Sequence, residues 1–144
     1  MLDAVLFDLD GTLADTAPDL CGTVNILLSE EGRPQQPFSR LRPHTSGGVR
    51  GLLGEGFGIE PADPDYARLA ARFLEIYAGR LCELSTLFDG IPALLDTLES
   101  RGIAWGIVTN KRARFTDPLV EALDLGRRTL CVVSGDTTAE AKPS

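Results

Sequence analysis

The feature that most constrains this chain is residues 5–12, VLFDLDGT, in which an apolar run ends in two carboxylates, a glycine and a hydroxyl. Ala4 to Phe7 predict a short strand that is buried on both faces, as in a parallel sheet. Ligands of open α/β sheets bind beyond the carboxyl ends of the strands, and Asp8 and Asp10 lie at that end. Because side chains two positions apart on a strand point the same way, we expect both carboxylates to face one small volume.

The two neighbouring carboxylates indicate a metal and a phosphate. Two like charges this close repel, so one of them would take up a proton unless a cation intervened. Oxygen ligands without a neighbouring histidine or thiol suit Mg²⁺, and Gly11 allows a tight turn that exposes N–H groups to an anion. The pattern therefore predicts a carboxylate nucleophile, a second carboxylate for proton transfer, a hard cation and a bound phosphate. The alternative, with no catalytic role for these residues, is a strand followed by an ordinary Asp-Gly turn.

Residues 8–12, DLDGT, resemble the first motif of the phosphatases of the haloacid dehalogenase superfamily. The similarity extends through nearly the whole chain and is strong for the phosphoglycolate phosphatases and the N-acetylmuramic acid 6-phosphate phosphatases. The resemblance implies that Asp8 attacks phosphorus to form an aspartyl-phosphate, and that Asp10 protonates the leaving oxygen and then activates water. It also implies that Asp8 and the main-chain carbonyl of Asp10 bind Mg²⁺, and that Gly11 and Thr12 bind the phosphate.

The order of the predicted elements indicates an α/β fold, with a parallel Rossmann-like sheet core and an inserted α-helical cap. An opening strand is followed by helical patterns up to about residue 85, including a long helix over 65–84, and then by alternating helices and strands. We expect residues 1–14 and 86–144 to form an incomplete core of the haloacid dehalogenase type, and residues 15–85 to form the cap. In the family such a cap closes over the site and selects the substrate.

Two later positions resemble further motifs of the family. Thr109 and Asn110 follow the second core strand, predicted over 103–108, and resemble the second motif, whose hydroxyl and backbone N–H hold a phosphate. Lys142 precedes a proline after the third strand and resembles the third motif, whose lysine offsets the charge of the transferring phosphoryl group. Lys111 is a second cation that could take the role given to Lys142, but we interpret it as a solvated residue at the start of a helix.

Ser46, Gly47 and Arg50 occupy the position of the family's substrate-specificity loop, inside the predicted cap. Arg50 could bind a carboxylate or a phosphate of the substrate through two hydrogen bonds. An exposed arginine at a helix start, without any ligand, explains the pattern equally well. His44 is the single histidine, which excludes a multi-histidine metal site, and we interpret it as an exposed loop residue.

The composition argues against several classes of function. A net charge of −7 argues against general binding to nucleic acid or to a membrane surface, and no apolar run is long enough for a membrane helix. Cys21, Cys82 and Cys131 form no CxxC pair, so we interpret them as small buried residues and not as a zinc site or a disulfide framework. We expect a cytoplasmic enzyme whose partner is a small phosphorylated metabolite.

The family's fourth motif, which carries further acids for the Mg²⁺ site, has no counterpart after Lys142. Gly135 and Asp136 superficially resemble it, but they precede the lysine and are not counted. We therefore expect the 144 residues to be part of a chain of roughly 220 residues. The edge of the first strand would then lie unpaired, so we predict weak or no activity and self-association through the open sheet edge.

Together these observations predict a Mg²⁺-dependent phosphomonoester hydrolase, with 2-phosphoglycolate as the favoured substrate. N-acetylmuramic acid 6-phosphate or another sugar phosphate is the alternative, since the loop 45–50 and residues 104–111, AWGIVTNK, also resemble those enzymes. A phosphomutase stays open because the same site can pass a phosphate to a second hydroxyl. A receiver-like binding domain is disfavoured because it needs no second acid at this position. A haloacid dehalogenase is disfavoured because it lacks the acid and base that Asp10 provides. An inactive fragment that binds a partner through the open sheet edge is the non-enzymatic alternative.

Overall fold

The computed structural model describes residues 4–136, and the chain divides into two compact units. One unit contains the described residues up to Asp15 and from Thr86 onward, and the other is Thr16–Ser85. In chain order the elements are β1 (Ala4–Phe7), β2 (Ala14–Asp15), α1 (Ala17–Glu30), α2 (Phe38–Leu41), a 3-10 helix (Arg42–Gly47), α3 (Gly48–Phe57), α4 (Tyr66–Ala78), β3 (Thr86–Leu87), α5 (Ile91–Ser100), β4 (Ala104–Val108), α6 (Ala113–Ala122) and β5 (Val132–Val133).

The first unit is built on a parallel sheet with the strand order β1-β4-β5. Phe7 pairs with Ile107 and Val108 pairs with Val133, so the carboxyl ends of these strands meet at one edge of the sheet. β4 is central, and the side chains of Trp105 and Ile107 are fully buried. Helices α5 and α6 provide the connections between parallel strands, as such a topology requires. The predicted α/β fold with a parallel sheet is confirmed.

β1 is less buried than its apolar sequence predicted. Ala4 is exposed and Leu6 is 61% exposed, while Val5 and Phe7 are only partly buried. Within the described residues β1 pairs with β4 alone, so its other edge stays open. The expectation of a strand buried on both faces is therefore wrong. Cys131, also predicted to be buried, is exposed and lies just before β5.

Two short strands and one helix end differ from the prediction. β2 and β3 form an antiparallel pair in which Ala14 lies opposite Leu87. Two-residue strands contain too few side chains to produce an alternating pattern, so the sequence does not reveal them. The helix predicted over 65–84 ends at Ala78, because Gly79 follows it and the chain turns before β3.

The second unit packs its helices around an apolar core. Leu27 of α1, Leu52 of α3 and Phe73 of α4 are fully buried. On the surface, Arg72 of α4 binds Glu30 of α1 at 2.7 Å, and this hydrogen bond holds the pKa of Glu30 below its ordinary value of 4.5. Among the residues that the structure describes, no helix combines the length and the apolar character needed to cross a bilayer.

Candidate active site

The two predicted carboxylates lie at the end of β1. Asp8 follows the strand directly and is exposed, and its Oδ1 accepts a hydrogen bond from the Leu9 N–H at 2.8 Å. Leu9 is fully buried, which anchors the backbone between the two acids. Asp10 is partly buried, with 31% of its side chain exposed. Both acids therefore lie at the sheet edge where open α/β folds bind their ligands.

Lys111, in the loop after β4, binds Asp10. Its Nζ donates to Asp10 Oδ1 at 3.0 Å, and only 10% of the lysine side chain is exposed. The interpretation of Lys111 as a solvated residue is therefore wrong. Because β1 and β4 are parallel neighbours, the residues that follow them meet although they lie 101 positions apart in sequence. The ammonium offsets the negative charge of the Asp10 carboxylate.

The turn after Asp10 uses its own N–H groups. Gly11 has a φ of 78°, in the left-handed region that favours glycine. Its N–H donates to the Ala14 carbonyl at 2.8 Å, and the Thr12 N–H donates to the Leu9 carbonyl at 3.3 Å. The tight turn is as predicted, but its N–H groups do not face outward to an anion, because closing the turn consumes them. Thr12 itself is exposed.

Thr109 and Asn110 follow β4, in the same loop as Lys111. Thr109 is buried, its N–H donates to the Val133 carbonyl at 2.9 Å, and its Oγ1 accepts the Lys111 N–H at 3.2 Å. Asn110 is exposed. The parallel pairing of β4 with β1 thus places this loop beside the end of β1. The predicted third-motif lysine, Lys142, lies outside the described residues.

Gly135 and Asp136, which were not counted as site residues, hold the loop after β4. The Gly135 N–H donates to the Lys111 carbonyl at 2.8 Å, and Asp136 Oδ1 accepts the Ala113 N–H at 2.9 Å at the start of α6. A side chain on Gly135 would collide with the Asn110 carbonyl. The available signal was a glycine and an acid directly after a predicted strand, but the sequence does not show which loop they contact.

The predicted substrate loop lies in the second unit. Ser46 and Gly47 end the 3-10 helix, and Arg50 is exposed in the first turn of α3. Within the described residues Arg50 makes no ion pair, so its guanidinium can accept an anionic ligand. A cavity of about 410 Å³ is lined by His44, Gly47, Arg50, Gly51, Gly54, Glu55, Ile59 and Glu60. His44 is exposed, as predicted, and its Nε2 lies 3.4 Å from Glu55 Oε2.

The donor set at the end of β1 fits Mg²⁺. Asp8 and Asp10 offer carboxylate oxygens. In enzymes Mg²⁺ usually takes one or two carboxylates and keeps water or substrate phosphate as its other ligands. Over residues 4–136 no group of three or more His, Cys, Asp or Glu side chains comes together to hold a metal. Two carboxylates are the part of such a site that these residues can supply.

A family model described as "Haloacid dehalogenase-like hydrolase" matches residues 5–144. This chain belongs to that family. The resemblance that residues 8–12 predicted is thereby confirmed. Asp8 and Asp10, the acids after β1, belong to the sequence DLDGT, which resembles the first motif of the superfamily's phosphatases.

Two curated relatives of this chain are named as phosphatases. An N-acetylmuramic acid 6-phosphate phosphatase from Pseudomonas aeruginosa is 39% identical over 142 residues, and a phosphoglycolate phosphatase from Xanthomonas campestris pv. campestris is 44% identical over 140 residues. The alignments cover 99% and 97% of this chain and 63% of each relative. The chain therefore spans less than two thirds of the length of these relatives.

The fold of this chain also occurs among solved structures. A protein from Haemophilus somnus, described as a predicted phosphoglycolate phosphatase, matches with a TM-score of 0.81 at 24% identity. The match covers 99% of this chain and 66% of the other. At this level of identity the likeness shows that the two chains share a fold.

Proposed function

We propose that the chain carries the site of a phosphatase, a Mg²⁺-dependent phosphomonoester hydrolase that forms an aspartyl-phosphate on Asp8. The observation that carries the proposal is the meeting of two strand ends. Asp8 and Asp10 follow β1, and Lys111 follows β4. Asp10 and Lys111 are in contact. Membership of the hydrolase family and the names of two relatives support the same class of reaction.

The two acids would have separate tasks. Asp8 attacks phosphorus while the bond to the ester oxygen breaks, and Asp10 donates its proton to the departing oxygen. Asp10 then takes a proton from the water that attacks the aspartyl-phosphate, which releases inorganic phosphate and restores Asp8. Thr109, Asn110 and Lys142 are proposed to bind the phosphoryl oxygens.

Mg²⁺ is the cofactor that we propose, held by Asp8 and Asp10. When bound, it offsets negative charge on the phosphate and aligns the phosphate with the nucleophile. The carboxylate oxygens of these two residues support this choice of ion over softer metals.

We propose 2-phosphoglycolate as the substrate. This molecule carries a carboxylate besides its phosphate, and the exposed guanidinium of Arg50 can bind a carboxylate through two hydrogen bonds. The alternative is N-acetylmuramic acid 6-phosphate, the substrate named for the Pseudomonas relative, which also carries a carboxylate but is much larger. Ser46 and Gly47 are proposed to line the substrate with Arg50.

Hydrolysis of the two substrates tests the proposal. The assay uses the chain and a version completed with the segment of a relative that the chain does not span. We expect Asp8→Asn to lower kcat by about 10³-fold or more, because an amide cannot attack phosphorus. The control is Asp117→Asn, which changes an exposed acid on α6 and should keep full turnover. Full turnover by Asp8→Asn, or turnover that survives removal of Mg²⁺ by a chelator, would contradict the proposal.

We also propose that the chain associates with itself through the open edge of β1. The 61% exposure of Leu6 supports this. Sedimentation velocity at increasing protein concentration measures this self-association.

A cytoplasmic location stays a prediction.

A further inference from the structure

We infer that Lys111 is a positioning residue for Asp10, and that Gly135 and Asp136 hold Lys111 for this task. The inference rests on the proposed function, because it assigns Lys111 a part in the step that Asp10 performs. It starts from the contact between Lys111 Nζ and Asp10 Oδ1 at 3.0 Å. A partly buried, charge-assisted hydrogen bond restricts a carboxylate far more than an ion pair in full solvent does.

The backbone of Lys111 is held on both sides. Its N–H donates to Thr109 Oγ1 at 3.2 Å, and its carbonyl accepts the Gly135 N–H at 2.8 Å and the Thr116 hydroxyl at 3.1 Å. A lysine side chain is long and flexible, so it fixes a partner only when its own backbone does not move. These contacts supply that condition.

Asp136 extends the support to α6. Within the described residues the N-cap of this helix, Arg112, makes no side-chain capping bond. Asp136 accepts the Ala113 N–H instead, so an acid after β5 caps a helix that follows β4. Gly135 must lack a side chain, because a Cβ there would collide with the Asn110 carbonyl. The segment after β5 is thus fitted closely against the loop that carries Lys111.

The two acids therefore have different hydrogen-bond donors. Asp8 Oδ1 accepts the N–H of the next residue, Leu9, whereas Asp10 Oδ1 is drawn to Lys111 on the side of β4. Asp10 must return to the same place to give one proton and take another, so its orientation should affect the rate more than substrate binding. Misplacement of a reacting group by about 1 Å can cost 10²-fold in rate.

The test compares Lys111→Met, Lys111→Arg, Asp10→Asn and the double variant Asp10→Asn with Lys111→Met. We expect Lys111→Met to lower kcat by about 10- to 100-fold with little change in KM, and Lys111→Arg to recover part of the loss. In the Asp10→Asn background Lys111→Met should cause no further loss, because a residue that acts through Asp10 has nothing left to position. Arg112→Met removes a neighbouring exposed charge and should leave kcat unchanged.

Two further measurements do not depend on turnover. Titration with Mg²⁺ alone, followed by calorimetry, should show that Lys111→Met binds the ion at least as tightly as the wild type, since the variant lacks the ammonium charge that lies 3.0 Å from Asp10 Oδ1. The urea midpoints of the wild type, Lys111→Met, Asp10→Asn and the double variant should be non-additive, which reports the contact itself. Equal losses of kcat from Lys111→Met in both backgrounds, a change confined to KM, weaker Mg²⁺ binding or additive midpoints would each overturn the inference. If the completed version with the wild-type residues hydrolyses no phosphomonoester, the proposed function fails, while the Mg²⁺ titration and the midpoints still test Lys111.

Discussion

Gly106 lies in the middle of β4, between Leu6 of β1 and Cys131, which directly precedes β5. A Cβ built at this position would lie 2.9 Å from Cys131 Sγ and 3.1 Å from Leu6 Cδ2. The Cys131 carbonyl, which accepts the Ile107 N–H at 3.0 Å, would lie 3.3 Å away. A single missing methyl group therefore allows the central strand to pair with both neighbours.

We predict that Gly106→Ala destabilises the chain by about 1 kcal/mol, because the added methyl group would displace the side chains of Leu6 and Cys131 and press on the Cys131 carbonyl. Urea unfolding measures the change. Gly126→Ala is the matched control, since the nearest atom to its Cβ is Val120 Cγ1 at 4.0 Å. It should stay within about 0.5 kcal/mol of the wild type. Equal effects from the two substitutions would contradict the packing argument.

The side chain of Asp19, in α1, connects this helix with the last residues of the second unit. The sequence suggests an ordinary acid in the first turn of α1, yet the carboxylate is fully buried. It accepts the Leu84 N–H at 3.0 Å, the Ser85 N–H at 2.9 Å and the Ser85 hydroxyl at 2.6 Å. Arg80 Nη2 lies 3.7 Å from it. The start of α1 is therefore tied to the segment that follows α4.

We predict that Asp19→Asn destabilises the chain by about 3 kcal/mol or more, because the amide nitrogen would face N–H donors and Arg80 would lose its buried counter-charge. Ser85→Ala removes one hydroxyl hydrogen bond and should cost about 1 kcal/mol. Chemical denaturation of the three proteins gives both values. If Asp19→Asn costs no more than Ser85→Ala, the buried carboxylate does not hold the ends together.

The open edge of β1 matters at the scale of the whole molecule. Within residues 4–136 this strand pairs only with β4, and Leu6 is 61% exposed. An apolar strand with free backbone donors and acceptors can pair with another chain. The net charge of −7 opposes such contacts only weakly when salt screens it.

We predict that Leu6→Lys reduces self-association, because charged side chains on an edge strand discourage pairing between copies. Sedimentation velocity over a range of concentrations measures the effect. Leu84→Lys is the control, since Leu84 is 60% exposed but lies outside the sheet and changes the net charge equally. A wild-type chain that stays monomeric, or equal relief by both substitutions, would rule out association through this edge.

The sequence predicted the parts of this protein whose signal is local. The apolar run of β1, the tight turn at Gly11 and the alternation of helices and strands each depend on a few consecutive residues. The features that the sequence did not reveal are very short elements and contacts between residues that are far apart in sequence. β2 and β3 are two residues each, and Lys111 was misread because its neighbours in sequence are polar and exposed. The roles assigned to Asp8, Asp10, Thr109 and Arg50 stay predictions until the variants are measured.

The sequence by itself determined the α/β class, the parallel sheet and the motif that identifies the hydrolase family. Periodicity and turn chemistry encode such features within short windows. Only the tertiary structure decided which lysine contacts Asp10, what the buried Asp19 carboxylate binds and where the N–H of Gly11 points. The first two contacts join residues 101 and 66 positions apart, so they depend on how strands align and helices pack. A local pattern carries no information about that alignment, because the same residues would suit several partners until the chain folds.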